Sequence, residues 1–465
     1  MVLNDGVACL PTLSNIFNDF SLISGLFINI GKTAIVPLSP TDLLNLRAEL
    51  ARLVPDWSAV TLAFAAKYLG VFVGPGKKNM SWEAPIAKYL KRAAQWGKMG
   101  LGMHMTLRAY KIYVASELMF VAQFEEAPEE FEDAEKEACR LLFPGPHLWI
   151  TPAVLRQLRA ASFPVEWYCV RTMATAAQSR LLRCENMNNG GLRAGARAAV
   201  IRRKMDYCEQ WNRLYWLNSW IHNAFTFTLQ RADDKVEMGI RRCGDELPSL
   251  LNEWLRKDAQ EGNGDEPARK RRRRQLSWQA VAGQILKPSS LIEISTHLNR
   301  RLRPLRLRCL PGHRVQRVLG IMARLSNLVA PRVQAAYWRT VCNGWCTSRR
   351  FGGRGACRFG CAELADDIKH YARRPVVASW ADGVALLARA PTELAFDFFL
   401  CMATEALDIR FTTVIDTDVD ILKRRAWHLY SVYMMHNLAR YHSLVDIDML
   451  GAYRGFYREA RLASD

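Results

Sequence analysis

The chain has 465 residues, half of them hydrophobic and 23% charged, a composition that supports packed cores in two or three domains and excludes disorder over the whole length. Lysine and arginine number 64 against 45 acids, and the formal net charge of +19 favours polyanionic partners such as nucleic acid or an anionic membrane surface. Twelve cysteines in a chain of this length do not suggest a framework of disulfides.

The amino terminus lacks the basic and apolar regions of a secretory signal peptide. The most apolar stretch, residues 59–74, contains Lys67 and is too short to cross a bilayer as a helix. We therefore expect an intracellular protein with no membrane partner. A soluble basic enzyme is the alternative to a nucleic-acid-binding protein, but the clustering of the arginines favours nucleic acid.

The first 76 residues predict a small α/β unit. Residues 8–20 predict a helix whose inward face carries Leu10, Leu13, Ile16, Phe17 and Phe20. Short apolar runs predict strands at residues 24–29, 34–36 and 68–74. Between the second and third strands, Ser39 is predicted to cap a helix that turns four leucines inward: Leu43, Leu46, Leu50 and Leu53.

The rest of the chain predicts helices. Apolar residues recur at helical spacing from residue 81 to about residue 231, and residues 118–124 predict a buried helix end. Residues 125–137 predict an exposed acidic turn that leads into a helix, and the polar, basic residues 256–275 predict a linker. Residues 276–465 predict a second helical body. The expected fold class is therefore mainly α, with a small α/β part at the amino end.

The triplet Gly31-Lys32-Thr33 suggests a phosphate-binding loop, which requires a glycine, four further residues and then Gly-Lys-Ser or Gly-Lys-Thr. Here five residues separate Gly25 from Gly31, and their apolar character favours a strand over an open loop. A phosphotransferase built on Lys32 is thus a distant hypothesis.

Three motifs in chain order resemble segments of non-LTR retrotransposon reverse transcriptases. Residues 20–33 resemble the palm segment that follows the catalytic aspartates in that family. Lys67-Tyr68-Leu69-Gly70-Val71 resembles the primer grip, and residues 118–124, with their Val-Ala-Gln centre, resemble a helix of the thumb. The resemblance covers residues 1–125, continues weakly to about residue 185 and returns near the cysteine cluster at 342–361.

The resemblance implies a layout of partial palm at 1–76, helical thumb at 77–240, polar and basic linker at 241–290, and helical carboxy-terminal domain at 291–465, with a zinc knuckle at 342–374. It also implies that Lys32 is an accessory to catalysis near the leaving pyrophosphate, and that Tyr68, Leu69 and Gly70 hold the primer backbone. Without the resemblance, a strand-end lysine and ordinary core residues explain these positions equally well.

Catalysis in this family needs two Mg²⁺ ions held by carboxylates, including an Asp-Asp pair just before the helix predicted at 8–20. The chain starts at that point, so we expect Mg²⁺ only in an intact parent enzyme. Two other Asp-Asp pairs, Asp233-Asp234 and Asp366-Asp367, follow the primer-grip motif instead of preceding it. This order does not fit a catalytic pair, and we expect solvated acids at both places. The expected function is the carboxy-terminal part of an RNA-directed DNA polymerase, which holds template and primer without catalysing alone. The alternative is a stand-alone nucleic-acid-binding relic.

Basic clusters point to RNA and DNA as partners, with no small-molecule substrate. In one cluster the cations lie at helical spacing: Lys88, Lys91, Arg92 and Lys98. This spacing predicts a helix face that contacts a phosphate backbone, and the alternative is a helix face exposed to solvent. A second predicts a phosphate-gripping loop or short helix: Arg300, Arg301, Arg303, Arg306, Arg308, Arg314 and Arg317. A third cluster is a continuous basic run: Arg269, Lys270, Arg271, Arg272, Arg273 and Arg274. It predicts a nuclear-import signal or an arm that binds nucleic acid. The expected localisation is therefore the nucleus, or otherwise the cytoplasm.

A Cys/His cluster has spacings that suit a tetrahedral structural zinc ion. The predicted ligands are Cys346, Cys357, Cys361 and His370. Related retrotransposon enzymes carry a knuckle of two cysteines, a histidine and a final cysteine just after it, whereas Arg374 occupies that last position here. Cys346 or Cys342 would then complete the set. A degenerate site with reduced cysteines in a packed loop is the alternative.

Overall fold

The computed structural model describes residues 6–38, 41–146, 149–178, 234–236, 238, 279, 282–287, 291–305, 313–348, 357, 359, 366–382, 400, 418–442 and 448–464. This part of the chain is mainly helical, as the sequence predicts. The predicted linker at 256–275 lies outside it. The chain divides into two compact units, each assembled from separate segments. Unit 1 comprises Met1–Ala87, Leu118–Glu129 and Val170–Lys287, and unit 2 comprises Lys88–Glu117, Glu130–Cys169 and Pro288–Asp465.

The described helices are α1 Gly6–Ser24, α2 Leu43–Leu53, α3 Met80–Gly97, α4 Gly102–Ala109, α5 Ser116–Ala122, α6 Phe131–Leu142, α7 Pro152–Arg156, α8 Val170–Gln178, α9 Ile292–Leu302, α10 Arg314–Ser326, α11 Pro331–Val341, α12 Ile368–Arg373, α13 Pro375–Asp382, α14 Asp418–Tyr441 and α15 Met449–Leu462. A π-helical turn, Tyr110–Val114, lies between α4 and α5. None of the helices in the described ranges is long and apolar enough to span a membrane.

Helix α2 begins three positions later than the predicted cap, Ser39, would place it. The Asp42 side chain is the amino-terminal cap and accepts the Leu44 N–H at 2.8 Å. The prediction of Ser39 as the cap is therefore wrong, because the first helical residue is Leu43. The predicted inward face holds, since Leu46 and Leu50 are buried and Leu53 packs against the core.

Helix α1 is present as predicted, but only part of its predicted inward face is covered. Leu10 is buried in a cluster with Leu50, Val54, Trp57 and Val60. Ile16 is 57% exposed and Phe20 52% exposed, so this end of the predicted face is wrong. Exposed apolar side chains continue beyond the helix as a surface that we call the α1 surface: Ile16, Phe17, Phe20, Leu22, Ile23, Leu26 and Phe27.

The strands of unit 1 are short and form two separate pairs. Strand β1, Ala34–Ile35, pairs in parallel with β2, Thr61–Leu62. Strand β3, Ala66–Tyr68, pairs in antiparallel fashion with β4, Val71–Val73. The strand predicted at 24–29 is wrong, because a strand needs a hydrogen-bonded neighbour and these residues have none within the described structure. They lead into a single 3₁₀ turn, Ile30–Lys32.

Unit 2 has an aromatic core built around a buried acid. Tyr110 and Trp167 stack with ring centroids 3.6 Å apart, and the Tyr89 hydroxyl lies 3.3 Å from that of Tyr110. The Trp167 indole N–H donates to Glu135 Oε1 at 2.8 Å, and Arg156 forms an ion pair with the same carboxylate. Glu135 is 3% exposed, so this charge depends on its two partners.

Glycine substitutions should separate a packing constraint from helix propensity in unit 2. A Cβ on Gly97 would clash with the Leu141 carbonyl oxygen, whereas one on Gly320, inside α10, would meet no atom of the described residues within 4 Å. We expect Gly97→Ala to destabilise the fold by about 1 to 3 kcal/mol through overpacking. Gly320→Ala should stabilise it by about 0.5 to 1 kcal/mol. Urea unfolding measures both, and a neutral Gly97→Ala would contradict the close approach of α3 to Leu141.

Candidate nucleic-acid interface

The segment predicted as one strand at 68–74 is in fact a tight hairpin. Tyr68 pairs with Val71, and the chain reverses at Leu69 and Gly70, whose φ angles of 46° and 94° are both positive. Two-residue hairpin turns with positive φ at both central positions match the twist of the strands that they join. The single-strand prediction is wrong because Gly70 permits this reversal.

The tip of the hairpin is exposed and rests on an aromatic ring. The side chains of Tyr68 and Leu69 are 67% and 76% exposed, and Lys67 is also exposed. A Cβ on Gly70 would lie 2.9 Å from Cε1 of Phe120, so glycine is needed for this contact as well as for the turn. An aromatic, an aliphatic and a cationic side chain are thereby presented together to solvent.

A buried hydrogen-bond network holds the base of the hairpin. The Ser81 hydroxyl accepts the Phe72 N–H at 2.8 Å and donates to Glu125 Oε1 at 2.9 Å. The same carboxylate oxygen accepts Lys77 Nζ at 3.0 Å. Glu125 is therefore buried, and its prediction as part of an exposed turn is wrong. Ser81 and Glu125 were missed because no local pattern signals a contact across 44 residues.

Lys32 lies in unit 1 at the end of the 3₁₀ turn, with its side chain exposed. The Asn29 side chain accepts its backbone N–H at 3.1 Å, which fixes the turn. Across the described ranges, no hydrogen bond or ion pair links Lys32 to the hairpin. The structure thus places Lys32 on an accessible surface without joining it to Tyr68, Leu69 or Gly70.

The predicted basic face of α3 is partly neutralised. Lys88 Nζ and Arg92 Nε each lie 2.7 Å from an oxygen of Glu117. Lys91 is exposed and forms no ion pair with any acid that the structure describes. Residues 88–116 contain six lysines or arginines and no acid, and Glu117 is the first acid after them. This position in the sequence is a signal that could have identified Glu117 as a partner of the α3 cations.

The arginines of the second cluster lie on several elements. Arg300 and Arg301 are in the last turn of α9, where cations interact favourably with the helix dipole. Arg303 follows in a 3₁₀ turn, and Arg314 and Arg317 lie in α10. Arg300 and Arg303 are exposed and have no acidic partner in the described ranges. Arg306 and Arg308 lie outside the described residues, as do all six residues of the cluster at 269–274.

The predicted zinc ligands are only partly described, since Cys361 lies outside. Cys357 is buried, its sulfur accepts the Phe359 N–H at 3.3 Å, and Cys346 and His370 are half-buried. Burial raises the pKa of the Cys342 thiol to about 12. Among the described residues, no three His, Cys, Asp or Glu side chains are grouped to hold a metal. The zinc site stays a prediction.

The acids near this cluster have structural partners. Asp366 is 1% exposed, accepts the Ser348 N–H at 2.6 Å and is hydrogen-bonded by the Tyr371 hydroxyl. Asp367 caps α12 by accepting the His370 N–H at 2.8 Å. The prediction of Asp366 as a solvated acid is therefore wrong. Asp234 is exposed, and Asp233 lies outside the described residues.

Comparison with protein-family models, curated proteins and solved structures gives no match for this chain.

Proposed function

We propose that the chain holds RNA and DNA as the post-catalytic palm, thumb and carboxy-terminal part of a non-LTR retrotransposon reverse transcriptase, and that alone it does not transfer nucleotides. The hairpin carries this proposal. Its tip is the motif that resembles a primer grip, and it presents Tyr68 and Leu69 to solvent on a base held by Ser81 and Glu125. An exposed tip on a fixed base suits contact with a nucleic-acid strand.

Exposed cations support the proposal in unit 2. Lys91, Arg300 and Arg303 are exposed, and no acid in the described part of the chain neutralises them. Lysine and arginine displace counterions from phosphates, and this supplies most of the affinity of non-specific nucleic-acid binding. Asp366 and Asp367 have hydrogen-bond partners within the fold, so this pair is a poor substitute for the two metal-binding aspartates of the family.

Binding of a fluorescent RNA–DNA hybrid by the full chain tests the proposal. We expect the logarithm of the affinity to fall linearly with the logarithm of salt concentration. Lys91→Ala should reduce that slope by about 1, as expected for one lost phosphate contact. Tyr68→Ala should weaken binding by about 5- to 100-fold, because one aromatic contact with a base contributes about 1 to 3 kcal/mol.

Two variants serve as matched controls. Lys136 is exposed on α6 but pairs with Glu132 and Asp133, so Lys136→Ala should leave the slope unchanged. Tyr441 is as exposed as Tyr68, and Tyr441→Ala should leave the affinity unchanged. Undetectable or salt-independent binding would sink the proposal. Template-dependent primer extension by this chain with Mg²⁺ would contradict the absence of catalysis.

A further inference from the structure

One face of unit 2 carries exposed cationic side chains among exposed apolar ones. Residues 88–116 contain six lysines or arginines and no acid. Helix α4 and the π-turn bury Met103, Leu107 and Tyr110. Their other side, which we call the α4 face, consists of Leu101, Met105, Arg108 and Ile112. Met105 is 50% exposed and Ile112 58% exposed, so the outward side chains are largely uncovered.

Neighbouring side chains widen this face. Trp96, near the end of α3, stacks on Tyr113 with ring centroids 4.7 Å apart and an interplanar angle of 17°. Met99 and Tyr113 are exposed. Contiguous exposed apolar surface on a soluble protein marks a site of interaction. Exposed methionines are common on surfaces that dock helices, because their side chains adapt to the partner.

The spacing on the α4 face indicates the shape of its occupant. Leu101, Met105, Arg108 and Ile112 are separated by four, three and four residues, the spacing of the a and d positions of a helix that packs along another helix. The side chains at three of these four positions are aliphatic, and nucleic acid offers little surface that could bury them. A helical polypeptide accounts for them better.

Charge indicates the chemistry of that helix. Lys98, Arg108 and Lys111 are exposed within or beside the apolar side chains. Glu117, the first acid that follows them in the sequence, already forms ion pairs with Lys88 and Arg92. A second copy of the chain would bring the same cations against themselves, which costs free energy at an interface. An acidic partner would complement them.

We propose that the α4 face docks an acidic amphipathic helix of a partner protein. The helix would lie along α4 with its apolar stripe against Leu101, Met105 and Ile112, and its acids would meet Lys98, Arg108 and Lys111. Lys98 also belongs to the basic cluster predicted on α3, but neither Tyr68 nor Lys91, the residues that test nucleic-acid binding, lies on the α4 face.

The probe is a synthetic fluorescent helix of about three heptads, with leucine at a and d and glutamate at e and g. We expect saturable binding to the full chain, and at least a tenfold weaker affinity for Met105→Glu/Ile112→Glu. Both positions are exposed, so the variant should retain the helical circular dichroism of the parent. Ile292→Glu, at an equally exposed position on α9, should leave binding unchanged.

Three outcomes would overturn the proposal: no binding of the probe, equal binding of a scrambled peptide of the same composition, or unchanged binding by the double variant. Single-stranded DNA is the competing occupant. If the double variant lost affinity for an oligonucleotide but not for the peptide, the surface would belong to nucleic acid and the proposal would be wrong.

Discussion

Replacing Glu135 with leucine should lower the free energy of unfolding by about 2 to 4 kcal/mol, because it leaves the half-buried Arg156 guanidinium without this counter-charge and the Trp167 indole N–H without its acceptor. Glu135 accepts both the Trp167 indole N–H and the Arg156 guanidinium inside the aromatic core. The loss thus combines an unpaired charge with an unsatisfied donor. Urea unfolding followed by tryptophan fluorescence measures it, since Trp167 itself reports on this core.

Two further variants separate these contributions. Glu135→Gln keeps an acceptor for Trp167 but removes the charge, so its loss of stability should be smaller than that of Glu135→Leu. Glu137, on the same helix, pairs with Arg140 at the surface, and Glu137→Ala should cost less than about 0.5 kcal/mol. Equal losses for Glu135→Leu and Glu137→Ala would show that the buried pair does not hold the core.

Unit 2 should also lose stability as the pH falls from about 6.5 to about 4. Burial, with smaller contributions from Arg301 and Arg300, lowers the pKa of His297 to about 4, and burial lowers the pKa of His428 to about 4. A histidine whose folded pKa lies below its unfolded value of 6.5 stabilises the fold above that value. This contribution is lost as the pH falls through the folded pKa and amounts to about 3 kcal/mol for each histidine.

The double variant His297→Gln/His428→Gln isolates this effect from the titration of carboxylates. In the neutral form, His297 Nε2 hydrogen-bonds the Trp149 carbonyl at 3.0 Å, and His428 Nδ1 lies 2.6 Å from the Tyr453 hydroxyl. Glutamine can retain polar contacts but cannot titrate. We expect a flatter dependence of the urea midpoint on pH for the double variant, whereas His442→Gln, at an exposed position, should follow the parent. Parallel curves for the parent and the double variant would refute the assignment.

The parts of the fold that the sequence predicted depend on neighbours in sequence. The leucines of α2 show the helical period, and Asp42 lies beside the leucine that begins the helix. The wrong predictions depend on distant partners. Residues 24–29 have the composition of a strand but lack a paired neighbour in the described structure. The second half of α1 has the pattern of a buried face, yet Ile16 and Phe20 are more than half exposed.

The candidate interface likewise has features that depend on neighbours in sequence and features that depend on distant partners. The exposed hairpin tip follows from a local motif, whereas its fixed base depends on Ser81 and Glu125, which are 44 residues apart. Among the α3 cations, the pattern predicted a common face but could not show that Glu117 binds Lys88 and Arg92 and leaves Lys91 available. Composition and period indicate which side chains lie on a surface, while the fold decides which of them are already paired.

The α1 surface has a consequence for colloidal behaviour. At low ionic strength the net charge of +19 keeps molecules apart, but at about 0.15 M salt the screening length is only about 8 Å. Apolar side chains such as Leu22 and Ile23 could then meet those of another molecule without long-range repulsion. Raising salt should therefore make light scattering grow with protein concentration, and nucleic-acid titrations at high salt should use dilute protein.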